Sequence, residues 1–221
     1  MHRVMMLVLA TVFAATLGLT AQQPVDPNRW ESTIQKFEAA DKATPPSKGG
    51  IVFIGASSIA RWTNLAESFP DLHVVNRGFG GSELADAVKY ASRVVVPYAP
   101  RTVVLYAGEN DLNRGVAPEV IASDFDKFSQ LIHTSLPAAR IVVIGLKPSL
   151  LRWKLRDGMR QTNMLIRTRC VADSKCTYVD PWPWMIGTDG TPKAELFVED
   201  GLHMTPAGYV AWTKMLRPHL K

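Results

Sequence analysis

A serine at position 57, an aspartate at 200 and a histidine at 203 are the residues of this chain best suited to nucleophilic chemistry. A serine hydroxyl is a weak nucleophile until a neighbouring base takes its proton. An imidazole held through Nδ1 by a carboxylate leaves Nε2 free to be that base. The segment Asp200-Gly-Leu-His203 puts the carboxylate three residues before the ring, close enough in a loop to orient it. Ser57 follows Ile51-Val-Phe-Ile-Gly-Ala56, an apolar run ending in small residues. A hydroxyl at such a strand-to-helix turn can face a cleft, and serine is equally a favoured helix N-cap. The turn is not a GxSxG elbow, because Ile59 replaces the second glycine.

Two other segments offer hydrogen-bond donors. Asn76-Arg-Gly-Phe-Gly-Gly-Ser82 follows a second apolar run, and its glycines leave backbone N–H groups open to an anion or oxyanion. A dinucleotide fingerprint would use the same glycines, and such a protein would be stabilised by nucleotides. Gly78 and Gly80 fit GxGxxG, but Glu83 occupies the third glycine position, where its carboxylate would repel a pyrophosphate. Ala107-Gly-Glu-Asn-Asp111 follows a third run, and Asn110 supplies an amide donor suited to a developing negative charge. Gly, Asn and Asp together are also ordinary turn residues. His2, His73, His133 and His219 have no carboxylate at comparable spacing. Asp200 and His203 lack further ligands, so no metal or cofactor is expected.

These residues need a scaffold that brings their segments to one edge. The apolar, β-branched runs at 51–54, 73–76, 102–106, 141–144 and 177–180 read as strands buried on both faces. Helical periodicity fills the intervals around 29–41, 59–65, 83–96, 118–135 and 153–172, and again over 206–216. Pro181-Trp-Pro-Trp184 reads as a stiff aromatic loop. Alternating strands and helices predict a three-layer α/β/α sandwich around a five-stranded parallel sheet. Ligands of open α/β sheets bind beyond the carboxyl ends of the strands, where the residues above fall.

The four motifs, in this order over residues 51–216, resemble the SGNH (GDSL-type) hydrolase family, which has a flavodoxin-like fold. Phe53-Ile-Gly-Ala-Ser57, Asn76-Arg-Gly-Phe-Gly-Gly81, Gly108-Glu-Asn-Asp111 and Asp200-Gly-Leu-His203 match its blocks. The second and third are similar to members of the platelet-activating-factor acetylhydrolase type. The chain departs from Gly-Asp-Ser-Leu at Ala56 and Ser58, which neighbour the serine. The resemblance implies Ser57 as nucleophile, His203 as base and Asp200 as its orienting partner. It also implies an oxyanion hole made by the Ser57 and Gly81 N–H groups and the Asn110 side chain. The expected activity is hydrolysis of short-chain acyl esters through an acyl-enzyme on Ser57. The alternative is a non-catalytic carbohydrate- or lipid-binding module on the same fold.

The 221 residues, 47% of them hydrophobic, can bury one sizeable core, and no linker divides them. His2 and Arg3 precede a nearly unbroken apolar run to Leu19, followed by Thr20-Ala21-Gln22. That pattern predicts a signal peptide over 1–21, a single domain over 22–221 and export to the periplasm or the extracellular space. The run is short for a spanning helix, so no stable membrane span is expected after its removal. Net charge is +5, without a basic stripe interleaved with stacking aromatics, which argues against nucleic acid. The loose run Arg152, Lys154, Arg156, Arg160, Arg167 and Arg169 reads as the solvated face of a helix. Cys170 and Cys176 can close a small loop or remain free thiols.

No long lid is inserted between the motifs, which favours an open cleft and small acyl groups. Acylated carbohydrates, simple esters and lysophospholipids all fit that expectation. Arg77, Phe79, Trp62, Trp153, Trp182 and Trp184 are candidates to border the cleft or to cover the core.

Overall fold

The computed structural model describes residues 26–220, so the expected signal segment and its cleavage point lie outside the described residues. Each apolar run pairs as a parallel strand: β1 (Ile51–Gly55), β2 (Val74–Gly78), β3 (Thr102–Tyr106), β4 (Arg140–Ile144) and β5 (Cys176–Val179). The sheet order is β2-β1-β3-β4-β5, the flavodoxin-like order. Side chains alternate across the sheet as strand geometry requires. Val52, Ile54, Val103, Leu105, Ile141 and Val143 enter one core, while Ile51, Phe53, Val104, Tyr106, Val142 and Ile144 enter the other.

Helices cover both faces. The first core is closed by α1 (Glu31–Ala43), and the second by α2 (Ser57–Ala60) and α3 (Leu65–Ser68). Next come α4 (Leu84–Val94), α5 (Glu109–Asn113), α6 (Pro118–Ser135) and α7 (Arg156–Ala172), all packed on the first core. One turn, α8 (Trp182–Met185), follows β5, and α9 (Pro206–Leu216) returns to the second core. Among the described residues no helix is long and apolar enough to cross a membrane. Cys170, in the last turn of α7, is bonded to Cys176 at the start of β5, which decides between the two thiol readings.

Three elements differ from the periodicity. The helix expected over 59–65 is two short helices, with Asn76 Nδ2 donating to the Ile59 carbonyl at 2.7 Å where the first one ends. The Gly108-Glu-Asn-Asp111 turn opens α5, because Gly108 at φ 114° reverses the chain in a conformation costly for other residues. The aromatic segment expected as a loop forms the helical turn Trp182–Met185, with Pro181 as its N-cap and Pro183 in the first turn, where the missing N–H has no helical partner to lose.

Candidate active site

Ser57 stands at the end of β1, the strand with the sheet's switch point beside it. Ala56, not Ser57, is the N-cap of α2, so the hydroxyl is not engaged as a helix cap. The helix lies directly on β2: a Cβ on Gly78 would sit 2.2 Å from the Ala60 nitrogen. From the other side, the Tyr209 hydroxyl of α9 donates to the Ser58 carbonyl at 3.1 Å. Trp62 stacks on Tyr209 with centroids 5.1 Å apart. This junction ties the serine turn to the helix that follows the histidine.

The loop before α9 is folded around its own carboxylate. Asp200 Oδ1 accepts the N–H groups of Leu202 and His203, both at 2.8 Å. Its Oδ2 lies 2.5 Å from His203 Nδ1. His203 Nε2 in turn lies 3.0 Å from Ser57 Oγ. Nδ1–H donating to the carboxylate leaves Nε2 to accept the hydroxyl proton, the polarity a relay needs. Burial opposes charge on Asp200, but the bonds from the His203 ring and the two backbone N–H groups outweigh it and hold the carboxyl well below its ordinary range. The carboxylate therefore stays ionised wherever the ring can act as a base. Asp200 is 41% exposed at the side chain, so the relay sits at an open rim.

The expected donors gather at the same rim. A Cβ on Gly80 would lie 3.8 Å from Ser57 Cβ, which seats the glycine loop against the serine. Gly81 has φ 80°, and Trp30 closes its far side, 3.4 Å from where a Cβ would be. Among the described residues neither the Ser57 nor the Gly81 N–H has a backbone acceptor. Asn110 Nδ2 donates to the Ser82 carbonyl at 2.9 Å, which uses one of its two N–H groups. Its Oδ1 accepts from Arg152 Nη2 at 2.9 Å.

Arg152 is where sequence reasoning went wrong. It belongs to the loop between β4 and α7, with its side chain only 11% exposed, not to a solvated helix face. Behind it lies a buried cluster. Glu109 Oε2 is 2.6 Å from Lys147 Nζ and accepts from the Tyr106 hydroxyl at 2.6 Å, while Oε1 accepts from Ser149 Oγ at 3.0 Å. Lys147 is 1% exposed. Burial opposes the Glu109 charge, yet Lys147 and Arg152 together hold its carboxyl below the ordinary range. The motif search missed Lys147 and Ser149, although they directly follow an apolar run as the other site residues do. Trp30, against Gly81, carried no signal of its own.

Several candidate rim residues are structural. Trp62 packs among Phe53, Phe69 and Trp212, and Phe79 packs between Trp30 and Tyr90. Arg77 is paired with Asp41, donates to the Tyr98 hydroxyl at 2.8 Å, and lies between the Phe37 and Tyr98 rings. Trp182 is buried and donates to the Leu146 carbonyl at 2.9 Å, whereas Trp153 is half-buried against it and Trp184 is exposed. His133 bonds Asp173 at 2.8 Å, away from the serine turn. Glu83 caps α4 in a reciprocal box with Asp86, so two carboxylates close that helix start to a phosphate. Among the described residues no His, Cys, Asp and Glu group has the makings of a metal site.

Asp111 carries a pH prediction. Its carboxylate accepts the Leu84 N–H at 3.1 Å, and burial, then the like charge of Glu83, push its pKa up to about 7. The folded chain therefore binds a proton at this site that the unfolded chain has lost above its ordinary value of 3.8. Stability from this group is full below that value and is lost as pH rises towards about 7. Asp111→Asn keeps the acceptor without the charge. The variant's unfolding free energy, measured by urea titration, should gain on that of wild type by about a few kcal/mol as pH rises from 4 to 7.5. A constant difference across that range would refute the assignment.

The GDSL-like Lipase/Acylhydrolase family matches residues 49–211. Human platelet-activating factor acetylhydrolase IB subunit alpha1 is 30% identical over 186 residues, 82% of this chain and 78% of the relative. The bovine alpha2 subunit is 27% identical over 86% of this chain and 82% of its own length. Among solved structures, a GDSL-like lipase from Bacteroides thetaiotaomicron superposes with a TM-score of 0.72 at 17% identity, covering 86% of this chain and 97% of that one. An acetylxylan esterase from Geobacillus stearothermophilus gives 0.61 at 16%, covering 77% and 94%. The match spans the serine turn, the glycine loop, the Asn110 turn and the Asp200–His203 loop. This chain belongs to the GDSL-like lipase/acylhydrolase family and is an ester hydrolase.

Proposed function

We propose that the chain is an exported hydrolase of short-chain carboxylic esters, with Ser57 as nucleophile, His203 as general base and Asp200 as its orienting carboxylate. The observation that carries this reading is the unbroken chain of contacts from Asp200 to His203 to Ser57 Oγ. Ser57 Oγ attacks the ester carbonyl carbon as its proton passes to His203 Nε2. The carbonyl oxygen becomes negative and is met by the N–H groups of Ser57, Gly81 and Asn110. Collapse expels the alcohol, which takes the proton from His203, and leaves the acyl group on Ser57. Water, deprotonated by His203 in its turn, releases the acid and restores the hydroxyl. Base catalysis of this kind is worth about 10²–10⁴-fold.

The Trp30 ring backs Gly81 and holds the glycine loop in place beside the oxyanion site. The likeness to known proteins supports small acyl groups. The relatives named above include acetylhydrolases and an acetylxylan esterase, which release acetyl groups. Acetylated carbohydrates and simple acetyl esters are the favoured substrates, ahead of lysophospholipids. Export rests on the amino-terminal pattern of a polar start, an apolar run and small residues.

The test uses a fluorophosphonate probe and a series of p-nitrophenyl esters on the purified protein. The expected result is covalent labelling on the peptide containing Ser57, with kcat/KM falling from acetate to octanoate. Absence of both labelling and turnover would support a binding module instead. A preference for octanoate would overturn the short-acyl reading alone.

A further inference from the structure

The Asn110 amide can serve as an oxyanion donor only if its nitrogen, not its oxygen, faces the cleft. The two ends of a side-chain amide are nearly isosteric, so its orientation depends on its partners. A guanidinium can only donate and a carbonyl can only accept. Arg152 at Oδ1 and the Ser82 carbonyl at Nδ2 therefore admit one orientation. That orientation leaves the second N–H of Nδ2 unspent. A cation at the oxygen end of an amide also draws charge from the nitrogen and makes its N–H a stronger donor.

Arg152 is itself held. Its Nη1 lies 3.9 Å from Glu109 Oε1, and Glu109 is fixed by Lys147, Ser149 and Tyr106. Glu109 faces two cations, Lys147 at 2.6 Å and the guanidinium at 3.9 Å, so the guanidinium is the more loosely paired of the two. The same loop reaches the histidine side of the rim, where the Leu151 N–H donates to the Gly201 carbonyl at 3.0 Å. A buried ion pair is poor evidence of stability by itself, since desolvation offsets the attraction. Next to a donor that must meet a developing negative charge, it has another use.

We propose that Arg152, braced by the buried Glu109–Lys147 pair, is a positioning residue that fixes and polarises the Asn110 amide for the oxyanion. The proposal rests on the ester-hydrolase reading with Asn110 as a donor. Arg152 has no contact with the reacting atoms in this account, so its effect must pass through Asn110.

The experiment is a double-mutant cycle on the full chain with p-nitrophenyl acetate, paired with side-chain amide NMR without substrate. Arg152→Met should lower kcat about 10- to 30-fold, less than losing the donor itself, and leave KM within about twofold. In an Asn110→Ala background the same change should cost less than about twofold, because the group it acts through is gone. Arg152→Lys, which keeps a cation that can donate to Asn110 Oδ1, should recover most of the loss. The Asn110 amide pair, identified by its disappearance in Asn110→Ala, should shift or broaden in Arg152→Met. Equal losses in both backgrounds, or an unmoved amide pair, would overturn the positioning role. A moved amide pair with unchanged kcat would overturn the proposal too, because the amide's position would then not matter to the oxyanion. If the wild-type protein neither labels nor turns over ester, the hydrolase reading fails while the amide signal still reports on Arg152.

Discussion

Replacing Ser57 by alanine should reduce kcat for p-nitrophenyl acetate by about 10⁵–10⁶-fold, the loss typical of removing a relay nucleophile. The fold should be almost indifferent to the change. Ser57 Oγ is bonded to His203 Nε2, at an open rim where water can replace it. The cost in stability should stay below about 1 kcal/mol. Thermal denaturation alongside the kinetics separates the two effects. A variant that unfolds with the wild type but still turns over ester above a tenth of its rate would mean another nucleophile. No other serine, threonine or cysteine is bonded to an imidazole among the described hydrogen bonds, so such a result would dismantle the mechanism.

The second large effect belongs to Asn110. Asn110→Ala should lower kcat about 10²–10³-fold, as removal of one oxyanion donor does elsewhere. KM should change little, because the donor meets a charge that exists only after attack. The substitution also strands Arg152 and the Ser82 carbonyl, each of which loses its bond to the amide. Some loss of stability is expected from these two groups, about 1–3 kcal/mol if water cannot reach them. Fluorophosphonate labelling should slow as well, because the probe's phosphoryl oxygen occupies the same position. A fall in kcat below twofold would exclude the amide from the oxyanion site.

The sheet was readable because its strands are buried on both faces, so each appears as an uninterrupted apolar run. Ser57, Gly81, Asn110, Asp200 and His203 were readable because the residues just beyond strands or before a helix can be checked against one chemistry. Boundaries were less so. The serine turn opens α2 directly, and the periodicity placed that helix two residues late because Ser57 and Ser58 add nothing to an apolar pattern. Arg152 was misassigned for a deeper reason. A run of cations at helical spacing looks solvated, and its first member is buried by Glu109 and Asn110, which lie more than forty residues earlier. Arg77 and Trp62 stood open between bordering the cleft and covering the core. Asp41 and the α9 aromatics draw them inward, which decides for the core. Partners separated by most of the chain leave no local trace.

The two cores of the sheet divide the labour of this site. Hydroxyl and imidazole are carried by segments anchored in the layer that holds Trp62, Tyr209 and Trp212. The amide at 110 and the glycine at 81 lead into helices of the opposite layer. On the proposed mechanism the nucleophile and base therefore hang from one packing unit and two of the three oxyanion donors from the other, with the Ser57 N–H as the donor that the first unit supplies. Repacking the layer under α4 and α5 can shift the donors at 81 and 110 while leaving the hydroxyl–imidazole pair alone, a freedom that a site built on a single layer would lack.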